Sequence, residues 1–565
     1  MLRAADQVGG AGVREIIYSV DGGPDVAVAG DTAELTIAQE GIHTIRFHAV
    51  DRASNAEVIK SLTLRIDKTA PVAVHDGPFI INEGDSILLD GSASYDALSG
   101  ILTTAWSLDG EEVFDSANPA AFEAYDGPAI FDVQLRVVDV AGNKTIVETT
   151  VVVLNVAPIV TVDFANIVVD ESQTARNTGT VADPGLDDVL LTASVGSVVD
   201  NGDGTWSWSF DTIDGPDDSQ TVMITATDSD GEASSVEFEL TVHNVSPSIV
   251  ALSRSVTSFG GLVENQFGEI FTVQFADPGI LDHHTVVVDW GDGSSPQEFT
   301  VPLGLRSLTA GHRYEDGGIY QVTVQVMDDD GAASQQVSTI AIITGIGVLD
   351  GVLQIIGTDQ HDQVMVNQQG NGLFKVHANF LPSGNFKTFP AAEIELIRIV
   401  LCNGDDHASI AGSIDIPAII DGGPGDDLLI GGGGSNMILG GSGDDHIVGG
   451  GVRDILIGGS GADRIIANGG EDILIGGRTA YDSDWSSGQP ANDAALLALL
   501  NKWNSAGEFA DRVAALSSEN EPYRLVPGET LSDDEDVDLL TGSADEDWIL
   551  GDIEDILAGF SNTTR

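Results

Sequence analysis

A period of nine residues between 422 and 481 constrains this chain more than any other feature. In register the stretch reads GGPGDDLLI, GGGGSNMIL, GGSGDDHIV, GGGVRDILI, GGSGADRII and ANGGEDILI, and the next frame, GGRTAYDSD, breaks the pattern. Leu429, Ile438, Ile447, Leu456, Ile465 and Leu474 occupy the eighth position, so each frame holds one short strand with one buried aliphatic side chain. A strand that short cannot bury its own core and must stack on its neighbours, which predicts a solenoid around an aliphatic ladder. A flexible glycine-rich linker has no reason to keep an aliphatic residue at that position in every frame.

The remaining positions carry chemistry. Glycines at the second and fourth positions, Gly423, Gly425, Gly432, Gly434, Gly441, Gly443, Gly450, Gly459 and Gly461, free φ for a tight turn and let main-chain carbonyls point inward. The sixth position places Asp427, Asp445, Asp454, Asp463 and Asp472 at the turn edge, with Asn436 as the one amide substitute. Carboxylates and carbonyls together make a hard oxygen cage, which suits Ca2+ better than zinc or copper. Two departures stand out: Val452 replaces a fourth-position glycine, and Ala467-Asn468 replaces an opening glycine pair. Asparagine tolerates left-handed φ.

This nonapeptide resembles the RTX, or hemolysin-type, calcium-binding repeat. The resemblance implies a parallel β-roll in which two nonapeptides make one turn and each ion lies between a loop and the loop two frames later. It then implies one edge built from Asp427, Asp445 and Asp463, and a second from Asn436, Asp454 and Asp472, weaker where Asn436 removes a charge.

At 565 residues the chain is too long for one core and predicts several domains. Its net charge of -66, from 89 acids against 23 bases, argues against nucleic acid and anionic membranes as partners and favours divalent cations. An acidic surface suited to a saline habitat explains the charge outside the repeats equally well. Cys402 is the only cysteine, so no internal disulfide forms, and bound calcium would serve as the staple an extracellular protein needs. Cys402 reads as a small buried residue at the foot of the solenoid. No apolar run has the length of a membrane span, and the opening MLRAADQVGG lacks the pattern of a secretory signal. Export by another route and a start lying further upstream both account for that.

Before the repeats the text is short alternating runs broken by turn residues, which predicts β-sandwiches. Strands are expected over 14–20, 33–37, 43–50 and 61–66. Matching joints, Asn155-Val156-Ala157-Pro158 and Asn244-Val245-Ser246-Pro247, suggest units of Ig-domain size. The resulting division is 1–70, 71–157, 158–246 and 247–345 as sandwiches, 346–421 as a β-rich lead-in and cap, 422–481 as the roll, and 482–565 as a helical cap with a degenerate acidic tail. The first unit, through REIIYSVDGG, EGIHTIRFHAVDRASN and IDKTAP, resembles a bacterial Ig-like repeat and is expected to lack one or two leading strands, so that the chain is expected to begin inside a longer product. DGSASYDALSG, LRVVDVAGN and, more closely, VDWGDGS with His312-Arg313-Tyr314 resemble the PKD-type Ig-like fold in the second and fourth units; VADPGLDD and NGDGTWSWSF resemble another Ig-like repeat in the third. These resemblances imply fold and not activity.

Trp106 and Trp290 read as core tryptophans and Tyr320 as a corner tyrosine. Trp206 and Trp208 share one strand face, as core packing or, less readily, a sugar-stacking platform. Asp228-Ser-Asp-Gly and Asp328-Asp-Asp-Gly read as hairpin turns, since neither has the glutamate an EF-hand needs. His283-His284 reads as loop surface. Strands are expected over 353–356, 364–366 and 394–401, with Asn403-Gly404-Asp405-Asp406 as a first irregular repeat loop. Apolar spacing over 492–516 predicts helix, with a capping box over 505–508, placed as a cap over the last solenoid turn. Its polar face lacks the lysines and arginines of a membrane-surface helix, so no membrane insertion is expected. GSADEDWIL and DIEDILAGF return to repeat-like text, where Asp547 and Asp555 mimic the sixth position. The tail resembles the C-terminal region of RTX-repeat proteins of the planctomycete type, and also an uncleaved type I export signal.

The chain is thus expected to be all-β: tandem Ig-like and PKD-type sandwiches, then a parallel β-roll with a small helical cap. The expected function is that of a secreted protein whose roll folds on Ca2+ outside the cell, adhesive or structural at the cell surface or in the matrix, with an extracellular protein or polysaccharide as partner. No HExxH, GxSxG, P-loop or dinucleotide motif occurs, so no enzyme is expected. The alternatives are an extracellular hydrolase whose catalytic part is absent or unrecognised, a carbohydrate-binding protein, and a pore-forming toxin, the last disfavoured by the lack of long apolar helices.

Overall fold

The computed structural model describes residues 1–565 except 256–260, 382–384, 484–489, 552–554, 560–562 and 565, so the opening of the expected DIEDILAGF repeat lies outside the described residues. The protein is all-β apart from two α-helices among the described residues. It divides into two compact units, one of Met1–Val169, Gln173–Thr212 and Asp218–Val242, the other of Asp170–Ser172, Ile213–Asp217 and His243–Arg565.

In the first unit, an antiparallel sheet orders Val26–Ala29, Val13–Val20, Gly41–Asp51 and Lys60–Ile66. The strand expected over 33–37 shrinks to Thr32–Ala33, paired with Leu2–Arg3, and Val26–Ala29 takes the edge instead, pairing with Val13–Val20 across a loop over 21–25 that opens on a turn at Asp21-Gly22. Asp21 and Gly22 both adopt left-handed φ, as such a turn requires. A second sheet orders Ser116–Ala117, Ile101–Ser107, Ala129–Asp139, Lys144–Leu154 and Phe79–Asn82, over a core of Trp106, Leu135 and Phe122. Two four-stranded sheets follow, packed around Trp206 and Trp208. Both indoles are buried and spend their N–H groups on the carbonyls of Thr161 and Val195, which removes the sugar-stacking platform.

The second unit opens with a sandwich of Ser248–Arg254, Phe267–Ala276 and Ser307–Arg313 against Gln297–Val301, His284–Asp289, Gly318–Met327 and Val337–Ile343. Trp290 is in its core, and Tyr320 donates to the carbonyl of Asp316 at 2.9 Å, the bond expected of a corner tyrosine. The expectation of a surface histidine pair fails for His284. It starts a strand and is 2% exposed, because alternation along the strand turns it inward while His283 stays out.

Two nine-stranded sheets make the rest of this unit. From Val352–Ile356 in one and Gln363–Gln368 in the other, each strand lies parallel to the strand one coil later, so Leu428–Ile430 pairs with His446–Val448 and Asn436–Ser442 with Ile455–Ser460. The eighth-position aliphatics form the inner ladder and are fully buried. The parallel ladder begins well before residue 422, because the lead-in supplies coils of its own. It also resumes after the last nonapeptide: Arg464–Ile466 pairs with Leu539–Thr541, and Ile473–Ile475 with Asp547–Leu550.

Between those coils the chain leaves the roll to form helices Asp493–Trp503 and Phe509–Leu516. They do not cap the last turn. Leu496, Leu499, Leu500 and Trp503 pack on the outward side chains of one sheet, Met437, Ile455, Ile473 and Trp548, covering its flank. These outward positions are apolar rather than polar, so the sheet has two apolar faces and needs a cover. The expected capping box is absent: Glu508 is the second helix's N-cap and makes no side-chain cap bond, whereas Asn492 caps the first helix by accepting from the Ala495 N–H. Cys402 is buried among Ile342, Ile356 and Val400, where burial pushes its thiol well up and makes it unreactive.

Candidate metal centre

The turns of the roll bring aspartates into two files. Along the first, each backbone N–H donates to Oδ1 of the aspartate one coil on: Asp406 to Asp427 at 2.7 Å, and Asp427 to Asp445, Asp445 to Asp463 and Asp463 to Asp538 at 2.8 Å each. Asp362 precedes this file through Asp406, and Asp555 closes it beyond Asp538. The second file runs Asn436 to Asp454 at 2.7 Å, Asp454 to Asp472 at 2.8 Å and Asp472 to Asp547 at 3.0 Å. The files therefore join the residues expected to share an edge, across the expected two-frame step.

These bonds use one oxygen of each carboxylate. Oδ2 of Asp406, Asp427, Asp445, Asp463 and Asp472 is buried with no hydrogen-bond partner. A buried carboxylate oxygen without a partner is costly and signals a missing cation or proton. Burial, reinforced by neighbouring carboxylates, pushes Asp427 and Asp445 up to about 8 and Asp463 and Asp472 up to about 9.

The first-position glycines complete the cradle. A methyl on Gly440 would lie 2.3 Å from Asp445 Oδ2 and 2.4 Å from the Gly458 carbonyl; one on Gly458 would meet Asp463 Oδ2 at 2.2 Å and the Gly476 carbonyl at 2.4 Å. Gly422 stands in the same relation to Asp427 and Gly440. Unpartnered carboxylate oxygen and main-chain carbonyl thus converge where only glycine leaves room. This all-oxygen donor set fits calcium, and its chemistry is that of a hard cation bound by carboxylates and carbonyls.

The glycines of the two files act differently. Gly423, Gly425, Gly441, Gly443, Gly459 and Gly461 have left-handed φ, as the turn reading requires, but Gly432, Gly434 and Gly450 do not. Those three are needed because a Cβ would strike Ile410, the Ile416 carbonyl and the Gly432 carbonyl respectively. Asn468 does adopt left-handed φ, at 72°. The second file is also chemically weaker. Asn436 accepts from the Gly432 N–H with its oxygen and donates its amide to Asp454 Oδ1 and the Gly434 carbonyl, both at 2.8 Å, so it links its neighbours by hydrogen bonds and offers no free oxygen. Asp454 has both oxygens engaged, the second by the Gly450 N–H.

Asp362 and Asp538 escaped the nine-residue frame, while Asp406 lies in the loop expected as a first irregular repeat. Each nonetheless carries the local signal of the file, an aspartate two residues before a buried aliphatic or alanine, here Val364, Ala408 and Leu540. The first-position glycines Gly422, Gly440 and Gly458, part of the repeat motif, also join the site, where a conventional φ conceals the steric need.

Fold and site together define a multidomain β protein that ends in an acidic parallel roll. Segments 68–154 and 263–342 match the family model of the PKD domain, and 421–456 and 448–479 match that of the RTX calcium-binding nonapeptide repeat (4 copies). The chain thus carries PKD-type domains and RTX calcium-binding repeats. No curated protein matches it. Among solved structures, it is similar to the I-band fragment I67-I69 from titin (13% identity, TM-score 0.23, 49% of this chain and 96% of that one) and to Sidekick-1 immunoglobulin domains 1-5 (11%, 0.25, 58% and 73%). It is likewise similar to the human Desmocollin-1 ectodomain (11%, 0.19, 64% and 79%). No functional property passes to this chain from likenesses at these scores.

Proposed function

We propose that the roll is a calcium-conditional folding unit of an extracellular, non-enzymatic protein, and that its sandwiches serve adhesion or matrix structure. One observation carries the reading: along the first file the orphan Oδ2 of Asp427, Asp445 and Asp463 repeats against the carbonyls of Gly440, Gly458 and Gly476. Where calcium is scarce, these carboxylates repel one another and favour an open chain. At the roughly millimolar calcium found outside cells, sites of the 10⁻⁴ to 10⁻³ M class fill, and binding free energy becomes folding free energy. Asp427, Asp445, Asp463 and Asp472 would hold the ions, with Asp406 and Asp538 extending the first file. Asn436 is reassigned as a hydrogen-bonded link.

The non-enzymatic part is supported by the carboxylates standing in file, each tied to the next coil, rather than as an acid-base pair across a cleft. A run of sandwiches, two of which match the PKD model, supports a spacer or adhesive role, with a protein or polysaccharide partner. Among the described residues no helix is long and apolar enough to cross a membrane.

Hydrogen exchange on the full chain, titrated from chelator into calcium with magnesium as control, tests the folding claim. The expected result is cooperative protection of amides over 352–475 and 539–550 with calcium alone. Equal protection in chelator would leave a passive solenoid and end the proposal.

A further inference from the structure

The roll is not the only place where buried carboxylate oxygens lack partners. Within the second unit, Asp282 is 1% exposed and neither of its side-chain oxygens has a hydrogen-bond partner. It belongs to two triads whose ligand atoms lie within 4.8 Å of one another: Glu171, Asp214 and Asp282, and Asp277, Asp282 and His284. Asp277 Oδ2 and His284 Nε2, both buried, lie 3.1 Å apart yet are not aligned to hydrogen-bond. Asn244 donates its amide to Asp328 at 3.1 Å and leaves its own oxygen buried and unpartnered. Glu171 is fixed beside them by the Val245 and Gly215 N–H groups, at 2.9 and 3.1 Å. Four carboxylates and an imidazole thus crowd one buried spot, and burial with these neighbours pushes Asp282 up to about 7.

The same constellation is written a second time, within the first unit. Glu83 accepts from the Val156 and Gly127 N–H groups at 2.7 and 2.9 Å, as Glu171 does from Val245 and Gly215. Asn155 donates to Asp228 at 3.0 Å, as Asn244 does to Asp328, and again leaves its oxygen unpartnered. Glu83, Asp183 and Asp187 form one triad and Asp126, Asp187 and Asp230 another, so Asp187 is shared as Asp282 is; Oδ2 of Asp183 and of Asp187 has no partner. In sequence, VADPGLD repeats as FADPGILD, Asp-Gly-Pro recurs at 126 and 214, and the joint NVAP recurs as NVSP. Turn capping needs neither a glutamate from one sandwich nor an asparagine from the joint; a shared ligand needs both.

A third copy shows what such a site wants. Glu264 accepts from the Gly317 and Ile346 N–H groups at 3.1 and 2.9 Å, repeating the pattern of Glu83 and Glu171. Here a cation of the protein's own is present: Lys387 Nζ lies 2.9 Å from Glu264, 3.1 Å from Asp316 and 2.8 Å from the Ile346 carbonyl. Among the described residues, no lysine or arginine bonds to Asp187 or Asp282; Arg306 reaches the second site only at His284 Nδ1, 3.4 Å away, and at the Gly279 carbonyl, 2.6 Å away.

We propose that the joints at 155–158 and 244–247 each hold a hard divalent cation of the calcium class, one shared through Asp187 and the other through Asp282. The carboxylates and the asparagine oxygen supply the oxygen-rich set such an ion takes, and His284 makes the second site the more tolerant of transition metals. The ion ties the joint to the loops that carry its other ligands and so removes freedom from the linker. This inference does not depend on the roll.

Limited proteolysis of the full chain, in chelator, calcium or magnesium, with cleavage at the two joints read by mass spectrometry, tests it. Calcium is expected to slow cleavage at both joints at least tenfold. Asp282→Asn should abolish that protection at 244–247 and keep it at 155–158, and Asp187→Asn should do the reverse, so each variant carries its own folding control. Asp445→Asn with Asp463→Asn in the roll should leave both joints protected. The proposal is overturned if wild-type cleavage ignores calcium, or if each single variant stays protected at its own joint.

Discussion

The side-chain amide of Asn436 donates to Asp454 Oδ1 at 2.8 Å, so one link of the second file is closed by a hydrogen bond where the first file, at Asp427 and Asp445, leaves oxygens bare. The roll therefore has one edge built to need an ion and one edge partly relieved of that need.

Asn436→Asp should convert the second edge to the habit of the first. It deletes the donations to Gly434 and Asp454 and adds a buried charge, so in chelator the roll is expected to lose about 1–3 kcal/mol. Calcium should restore stability and raise the number of ions bound. Thermal unfolding in chelator and in calcium, with equilibrium dialysis for stoichiometry, checks both.

Stability without calcium should fall as pH rises. Asp427 and Asp445 are pushed up to about 8 and Asp463 and Asp472 to about 9, above the unfolded value of about 3.9. A carboxyl raised in the folded state contributes stability that is complete below the unfolded value and lost as pH passes through the folded one. Urea unfolding in chelator should therefore weaken from about pH 4 to about pH 9, and saturating calcium, which competes better as protons leave, should flatten that slope.

Gly440→Ala and Gly451→Ala separate cradle from turn. A methyl at 440 meets Asp445 Oδ2 and the Gly458 carbonyl, whereas at 451 nothing lies within 4 Å. The first variant should cost about 1–3 kcal/mol and shift the calcium midpoint at least tenfold upward; the second should stay within about 0.5 kcal/mol of wild type. Calcium-dependent tryptophan fluorescence reads both.

Trp503→Ala probes the flank. Trp503 is fully buried and donates to the Glu471 carbonyl at 2.7 Å, while Glu471 also pairs with Arg453 and Arg512. A loss of about 3–5 kcal/mol is expected by chemical denaturation.

How much of this was legible follows from what period the information has. The eighth-position ladder and the two aspartate files repeat every nine residues, so strands, pairing step and edges could be read directly. Asp406 and Asp538 stand off the nine-residue frame; Asp406 was legible as an irregular repeat loop, whereas spacing alone cannot recover Asp538. The helices were legible from apolar spacing, but their place was not, because which sheet face lacks cover depends on the outward aliphatics Ile455 and Ile473. His284 misled because two adjacent histidines look polar, although strand alternation sends them to opposite sides. The joint carboxylates were dispersed over 83 to 328, and only folding brings those of each joint together.

Coils inside the repeats close over 18 residues, but Asp463 reaches Asp538, and Asp472 reaches Asp547, only across 75. Loop entropy alone makes that closure dearer by roughly 1.2 kcal/mol, two doublings of length at about 0.6 each. Docking Trp503 and Leu496 on the flank shortens the free span before the last coils join. The final rungs are thus contingent on the helices: damage there would fray the solenoid from its C-terminal end while leaving the earlier coils zipped.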